Sequence, residues 1–434
     1  MIHKFKSKIK IPYLINGCKK IWNKKYRILF PLIFLIAVCC SWFAIDQNIH
    51  SITIEWLETF LLWFISILMI AVIIIGELLI VSLIGTPLSA TRVQKCLASV
   101  EFTDKAGKTP LLVSRFKDGN AEVFEFFSST IPLKEYKKKE SIIENALNVQ
   151  IVDFIVGSDL QHIQLKTIPA KNKLPDKIEW DSSMLSKKTS KLILGESLLD
   201  TVSVDLDITP HILIGGSTGS GKSVLFKLML AQCIQKGFDV YIADFKGGVD
   251  FNGQWREKAE VFTNARIGIE EARKKLLKRL TYLENELDTR IALFDKYKCK
   301  DIIQYNKKFN CNLQRIVFGC DEIFELTDKN GLDKESKKIV ELIEKIIVRL
   351  AHLGRAFGIH MFFATQRPDS EVLKGQIKNN FDFRICGRAD DILSKIIIGS
   401  TDADEKVPKD KQGVFLTNTG VLFKAYYLNE DCIF

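Results

Sequence analysis

The sequence predicts an α/β chain: a mostly parallel sheet with helices on both faces, behind a small α/β domain and an N-terminal two-helix transmembrane hairpin. Three observations predict it. From about residue 191 onward, short β-branched apolar segments alternate with stretches of helical periodicity, as in sheets buried on both faces. One of those segments runs into a glycine-rich loop followed by a helix. Near the N-terminus lie two uncharged runs of 18 residues each.

The two runs come first in the chain. Ile28–Ile45 and Thr59–Gly76 are each near the minimum length that crosses a bilayer, where about 20 apolar residues are needed. The second run continues past Glu77 to Arg92, and residues 78–91 read as a juxtamembrane helix with Glu77 at the inner interface. Trp42, Trp56 and Trp63 suit the outer headgroup region. Residues 1–27 hold nine Lys or Arg and no acidic residue, and Arg92 and Lys95 follow the second run. By the positive-inside rule both ends of the hairpin, and so both chain termini, lie in the cytoplasm. A cleaved signal peptide is disfavoured, because no small-residue cleavage site follows the first run and a second run does.

The net charge of +10 is concentrated in that N-terminal segment, which leaves the remaining chain close to neutral. Any polyanion contact in the globular part must therefore come from local patches. The ten cysteines include no C-x-x-C pair, so neither a disulfide framework nor a zinc site is expected.

Residues 109–168 read as a small α/β module. "TPLLVSRF" and "AEVFEFFSS" are strands around the turn "KDGN", "SIIENALNV" is a short amphipathic helix, and "QIVDFIVGSD" and "HIQLKTI" are two more strands. Residues 169–190 are polar with two prolines and read as a linker or surface loop. The expected organisation is a basic N-terminus (1–27), an anchor (28–91), a membrane-proximal domain with linker (92–190) and a final domain (191–434).

In that final domain the strands are "HILIGG", "DVYIADF", "RIVFGCDE", "IHMFFATQ", "DFRICGRA" and "GVFLTN". A long helix over 269–298 carries Leu276, Leu280, Leu283, Leu287 and Ile291 at helical spacing, a packing stripe. The loop Gly216–Ser223 fits G-x-x-x-x-G-K-[ST] between a strand and a helix. In such a loop the backbone N–H groups of Gly216, Ser217, Thr218, Gly219, Ser220, Gly221 and the helix start through Val224 face phosphate. Lys222 reaches the β- and γ-phosphates of ATP, and Ser223 is a ligand for Mg2+.

"QRIVFGCDE" ends a hydrophobic strand in Asp321 and Glu322. Asp321 is placed to hold Mg2+, and Glu322 to polarise an attacking water. "IHMFFATQRPD" ends a third strand in Thr365, Gln366 and Arg367, where Gln366 suits a γ-phosphate sensor. The combination points to a motor ATPase rather than a kinase or a switch GTPase. Such motors are commonly rings in which a neighbour supplies an arginine. Arg384 is the first candidate, then Arg388 and Arg355, each expected near the carboxyl edge of the sheet.

Taken with "YIADFKGG", "LENELDTRIALFDKY" and "LGRAFGIHMFFATQRPDSEVLKGQIKNNFDFRICGRADD", these patches resemble, in order and spacing, the FtsK/SpoIIIE-type DNA-translocase domain over roughly 191–427. The small domain and two-helix anchor resemble the TcpA-like coupling proteins of Gram-positive conjugative plasmids and integrative conjugative elements.

The resemblance implies a RecA-like fold and a homohexamer in the bacterial cell membrane that moves DNA with little regard to sequence. It also implies a relaxase complex and conjugation channel proteins as partners. Lys222, Ser223, Asp321, Glu322 and Gln366 carry over as ATP-site residues, and Asp244 and Lys246 match a segment near the nucleotide. Candidate DNA-facing segments are Lys246–Arg256 and Lys329–Lys338. The sequence-reading winged-helix module of cell-division FtsK has no counterpart, which favours conjugative delivery over chromosome segregation. A protein-secretion motor of type VII kind and a chromosomal translocase are the alternatives.

Overall fold

The computed structural model describes residues 10–49, 55–366 and 380–430, and the chain divides into two compact units between Asn172 and Lys173.

The first unit opens with helix α1 (Ile11–Asn23). Two apolar helices follow, α2 (Leu29–Ile49) and α3 (Glu55–Gly85). Lys25–Gln47, which includes a short 3-10 turn ahead of α2, and Trp56–Gly85 in α3 are long and apolar enough to cross a membrane. None of the first and 6% of the second is buried, whereas a core helix of a soluble protein would be covered. The Phe34 ring lies on Gly76, where no side chain could fit, and this seats α2 against α3.

Helix α3 differs from the sequence reading. It runs unbroken through 78–85, so Glu77 sits within the long helix and not ahead of a separate one. The apolar pattern does not stop at Glu77, and nothing there breaks a helix. A separate helix, α4 (Ala90–Ser99), begins only after Pro87.

Part of the basic N-terminus is also ordered. Helix α1 crosses the end of α3 at two glycines: a Cβ at Gly17 would strike the Val81 carbonyl oxygen, and one at Gly85 would strike that of Tyr13. Asn16 Nδ2 donates to the Gly85 carbonyl at 2.6 Å, and Lys20 Nζ to those of Ile84 and Gly85 at 3.2 and 3.1 Å. These bonds satisfy the last carbonyls of α3 and place a cation at its negative end.

The rest of the unit is an antiparallel sheet ordered β1-β2-β4-β3. The strands are β1 (Leu111–Asp118), β2 (Ala121–Phe127), β3 (Val149–Val156) and β4 (His162–Pro169). Helices α5 (Leu133–Lys138) and α6 (Glu140–Leu147) join β2 to β3. Period-two alternation sends Ile163 and Leu165 inward, and they form a core with Phe102, Phe126, Tyr136 and Ile143.

The second unit is built on a ten-stranded sheet. Its strands are β5 (Lys191–Ser197), β6 (Thr201–Asp205), β7 (His211–Gly215), β8 (Asp239–Asp244) and β9 (Glu260–Thr263). They continue with β10 (Ile316–Cys320), β11 (Ile359–Thr365), β12 (Phe383–Cys386), β13 (Val414–Thr417) and β14 (Leu422–Ala425). The order is β6-β5-β14-β13-β12-β7-β11-β10-β8-β9. The six strands from β12 to β9 are parallel, and the other four add an antiparallel wing.

The helices are α7 (Lys222–Gln235), α8 (Gln254–Lys258), α9 (Ile269–Lys296) and α10 (Ile302–Phe309). After them come α11 (Ile323–Thr327), α12 (Lys334–Phe357), α13 (Asp391–Ile398) and α14 (Asp402–Lys406). One face of the sheet packs on α7 through Leu225, Met229 and Leu230. The other packs on α9 and α12 through Leu276, Leu280, Leu283, Leu287, Ile343 and Leu350. Because both faces are covered, β7, β10 and β11 are buried along their whole length, which explains their unbroken hydrophobicity.

The stretch 169–190 is not a free linker. From Lys173 it belongs to the second unit, with Leu174 packed on one core and Ile178 and Trp180 on the other. Its backbone pairs with Tyr427: Trp180 N donates to the Tyr427 carbonyl at 2.9 Å, and Tyr427 N to that of Ile178 at 2.7 Å.

Candidate functional site

The sheet topology sets the site. β7 lies between β11 and β12, yet the chain leaves β7 for β8, three strands away. A crevice therefore opens at the carboxyl ends of the strands, where ligands of parallel α/β sheets bind.

The loop 216–221 emerges from β7 at that crevice, and α7 starts at Lys222. Gly221 has φ 93°, and a Cβ there would stand 3.0 Å from the Gly413 backbone, so both conformation and space demand glycine. The loop is tied to its neighbours. Ser217 N donates to the Arg388 carbonyl at 2.7 Å, and Gly413 N to the Ser220 carbonyl at 2.9 Å. The Arg388 guanidinium donates to the Thr218 carbonyl at 2.7 Å, Ser217 Oγ at 3.2 Å and the Lys409 carbonyl at 2.9 Å.

Lys222 is buried, and its ammonium has no hydrogen-bond partner. Burial pushes its pKa below the ordinary lysine value, which the Asp321 charge 3.8 Å away partly offsets. The Ser220 hydroxyl is likewise buried without a partner. Orphaned donors at a helix N-terminus are what a bound phosphate satisfies.

Asp321 and Glu322 follow β10 and are almost fully buried. Ser223 Oγ stands 3.4 Å from both Asp321 carboxylate oxygens. A hydroxyl and a carboxylate facing each other form a hard-oxygen set that fits Mg2+ shared with phosphate oxygens. Glu322 is held from the end of β11: Thr365 Oγ1 donates to its Oε1 at 2.8 Å, and Gln366 N to its Oε2 at 3.1 Å. The Gln366 side chain turns to the loop, accepting from Thr218 Oγ1 at 2.7 Å. Three strand ends thus meet through named bonds.

Lys246 follows β8 and enters this cluster. Its ammonium donates to Asp321 Oδ2 at 2.8 Å and lies 3.7 Å from Glu322 Oε2. Burial alone would lower its pKa, but the Asp321 charge, that hydrogen bond and Glu322 outweigh burial and hold it above the ordinary value. Asp244, two residues earlier, is buried with one carboxylate oxygen unpartnered and its pKa raised by burial. Lys329, in the other basic segment, pairs with Glu344 at 2.9 Å.

The three arginine candidates separate. Arg384 is not at the carboxyl edge: it pairs in register with Leu213, mid-strand in β7, while Cys386 pairs with Gly215 at the edge. Its Nε is buried with no partner. Arg355 lies in the last turn of α12, just before β11 begins, at the opposite edge of the sheet. Only Arg388 reaches the loop, and it does so within its own chain. Arg367 lies outside the described residues. Sequence reasoning overlooked the wall formed by Gln412 and Gly413, which the pairing of β13 with β12 and β12 with β7 brings against the loop.

A glycine-rich loop at a helix start, an acidic pair just past a buried strand and a polar residue just past the strand between them define a P-loop ATPase of the RecA-like motor class. The comparisons agree. The family described as "Helicase HerA, central domain" matches residues 190–380. A solved structure of the pCW3 conjugation coupling protein TcpA, in a monomer form with ATPgS, is 32% identical with a TM-score of 0.57, covering 80% of this chain and 96% of that one.

Among curated relatives, the DNA translocase FtsK of Borreliella burgdorferi is 34% identical over 232 residues, half of this chain and 27% of the relative. That of Helicobacter pylori strain J99 is 28% identical over 294 residues, 64% of this chain and 32% of the relative. The chain thus spans about a quarter to a third of the length of these FtsK proteins. It belongs to the FtsK/SpoIIIE-type DNA translocase family, alongside the TcpA coupling protein.

Proposed function

We propose that the chain is a membrane-anchored, ATP-driven DNA translocase that acts as a conjugative coupling protein, delivering DNA to a secretion channel. The observation that carries this reading is the convergence of Lys222, Ser223, Asp321, Glu322 and Gln366 at one crevice, in a chain that matches 96% of the TcpA structure over 80% of its own length.

ATP would lay its phosphates on the loop amides and the start of α7, with the Lys222 ammonium neutralising the γ end. Ser223 and Asp321 would hold Mg2+, which supplies charge neutralisation at the phosphates. Glu322 is the base for the attacking water, and to act it must give up the bonds from Thr365 and Gln366. Those bonds, with Thr218 to Gln366, give loss of the γ-phosphate a route into β11.

Lys246 begins the segment Lys246–Arg256, so the same cluster reaches a candidate DNA-facing loop. DNA would be gripped through its phosphates, a contact that is largely independent of sequence. A homohexamer, anchored by α2 and α3 with both termini cytoplasmic, would receive DNA from a relaxase complex and pass it to channel proteins.

The test compares two variants in nucleotide binding and turnover. Lys222→Ala loses both. Glu322→Gln binds ATP and does not hydrolyse it. Retained turnover in both variants refutes the site assignment.

A further inference from the structure

Tyr13 and Gly17 bury one face of α1, with Gly17 against α3. The opposite face is apolar and open: Ile11, Ile15 and Trp22 are 72, 53 and 85% exposed, and Cys18 lies exposed between them. The spacing i, i+4, i+7, i+11 makes these four a single stripe. Lys19, Lys24 and Lys25 are exposed around it. Among the described residues none of the three has an ion pair, and residues 1–27 contain no Asp or Glu. We propose that the stripe docks on the lipid leaflet at the Arg27 end of the anchor, where Lys19, Lys24 and Lys25 grip the headgroups of anionic phospholipid. This rests on the reading of α2 and α3 as the membrane anchor.

The fold places α1 at that depth. Phe34 on Gly76 sets the register of α2 against α3. Seven residues back from Phe34 is Arg27, and seven on from Gly76 is Leu83. Arg27 therefore lies level with the crossing of α1 over α3, which falls at Val81 and Gly85. The first membrane-capable stretch begins at the same level, at Lys25.

Continuity favours lipid over a second copy of the chain. Past Trp22 the exposed apolar surface runs on through Tyr26, Ile28, Leu29 and Phe30 into the uncovered flank of α2. A helix with Trp and Ile on one side and Lys beside them lies in the plane of the interface, its apolar side roughly 5–10 Å into the headgroup boundary. Each lysine near an anionic surface adds about fivefold in binding, which a zwitterionic leaflet does not supply. The contact also reaches the small domain. Asn16 Nδ2, which holds the end of α3, donates to the Val113 carbonyl of β1 at 2.8 Å, and Gln94 Nε2 of α4 donates to the Tyr13 hydroxyl at 3.0 Å.

The test reconstitutes the full chain in phosphatidylcholine vesicles that carry equal fractions of either brominated phosphatidylglycerol or brominated phosphatidylcholine. Bromine quenches tryptophan on contact, and wild type minus Trp22→Phe isolates Trp22. Both lipids are expected to quench Trp22, with phosphatidylglycerol preferred about fivefold or more. The triple change Lys19→Gln, Lys24→Gln, Lys25→Gln should keep the quenching and lose the preference; if that variant does not insert, the wild-type comparison decides alone. Equal quenching by both lipids in wild type, or a preference that survives the triple change, overturns the proposal. So does escape of Trp22 from both lipids, the result a second copy seated on the stripe would give. If the remaining tryptophans, Trp42, Trp56 and Trp63 among them, also escape both lipids, the anchor reading itself falls.

Discussion

Arg388 offers the sharpest discrimination between a brace and a finger. From sequence it was a candidate to reach a neighbouring subunit's nucleotide. In the fold it donates two hydrogen bonds to its own phosphate loop, at 2.7 Å to the Thr218 carbonyl and 3.2 Å to Ser217 Oγ, and a third to the Lys409 carbonyl. Charge-assisted bonds are each worth roughly 1.5–3 kcal/mol net, and solvent screening reduces that here. Arg388→Ala should therefore cost the loop about 1.5–2.5 kcal/mol of preorganisation, or roughly ten- to sixtyfold in ATP affinity.

Arg388→Lys should fall between, since an ammonium cannot fork to two acceptors. The assay is ATP binding to the full chain in detergent, followed by turnover in oligomers mixed with Glu322→Gln. A brace weakens binding and gains nothing from mixing. Intact binding, with turnover restored in mixed oligomers, would refute the reasoning and return Arg388 to the neighbour's site.

Other outcomes follow from the same bonds. Lys246→Ala leaves the buried Asp321 without its 2.8 Å partner; removing one member of a buried pair costs about 3 kcal/mol, and thermal melting of the variant should show that loss shrinking when Mg2+ and ATP are added. Burial pushes the pKa of His211, which accepts from Met361 N–H, down from 6.5 to about 4. Below about pH 6.5 the unfolded chain takes up a proton that the folded chain refuses, so stability falls as pH drops toward 4; between pH 7 and 5 this amounts to about 2 kcal/mol. Urea titrations read at the second unit should show that pH dependence reduced in His211→Phe. Gly17→Leu should dislodge α1 from α3, seen as faster proteolysis within residues 11–23 with ATP binding unchanged.

Much of the candidate site was legible because its signals are local. The loop sits between one strand and one helix, and Asp321–Glu322 ends a strand whose hydrophobicity reveals its burial. Gln366 was legible for the same reason. Residues whose meaning depends on strand register were not. Arg384 and Arg388 are four residues apart on the same segment, yet pairing of Cys386 with Gly215 leaves the first mid-strand and puts the second beside the loop. The strap at 173–180 reads as polar linker, and its pairing with Tyr427 lies some 250 residues away in sequence. Helix α1 was hidden by its charge: nine basic residues up to Arg27 drew attention from Tyr13, Asn16, Gly17 and Lys20, which face α3.

The central claim is that ATP turnover at this site is coupled to DNA. Its most direct test is the ATP hydrolysis rate of the full chain in detergent, measured as double- or single-stranded DNA is added at low and then rising salt. The rate should climb with DNA, lose that gain as salt screens the phosphate contacts, and stay at background in Glu322→Gln. A rate indifferent to either form of DNA, or one raised instead by a protein substrate, would contradict it.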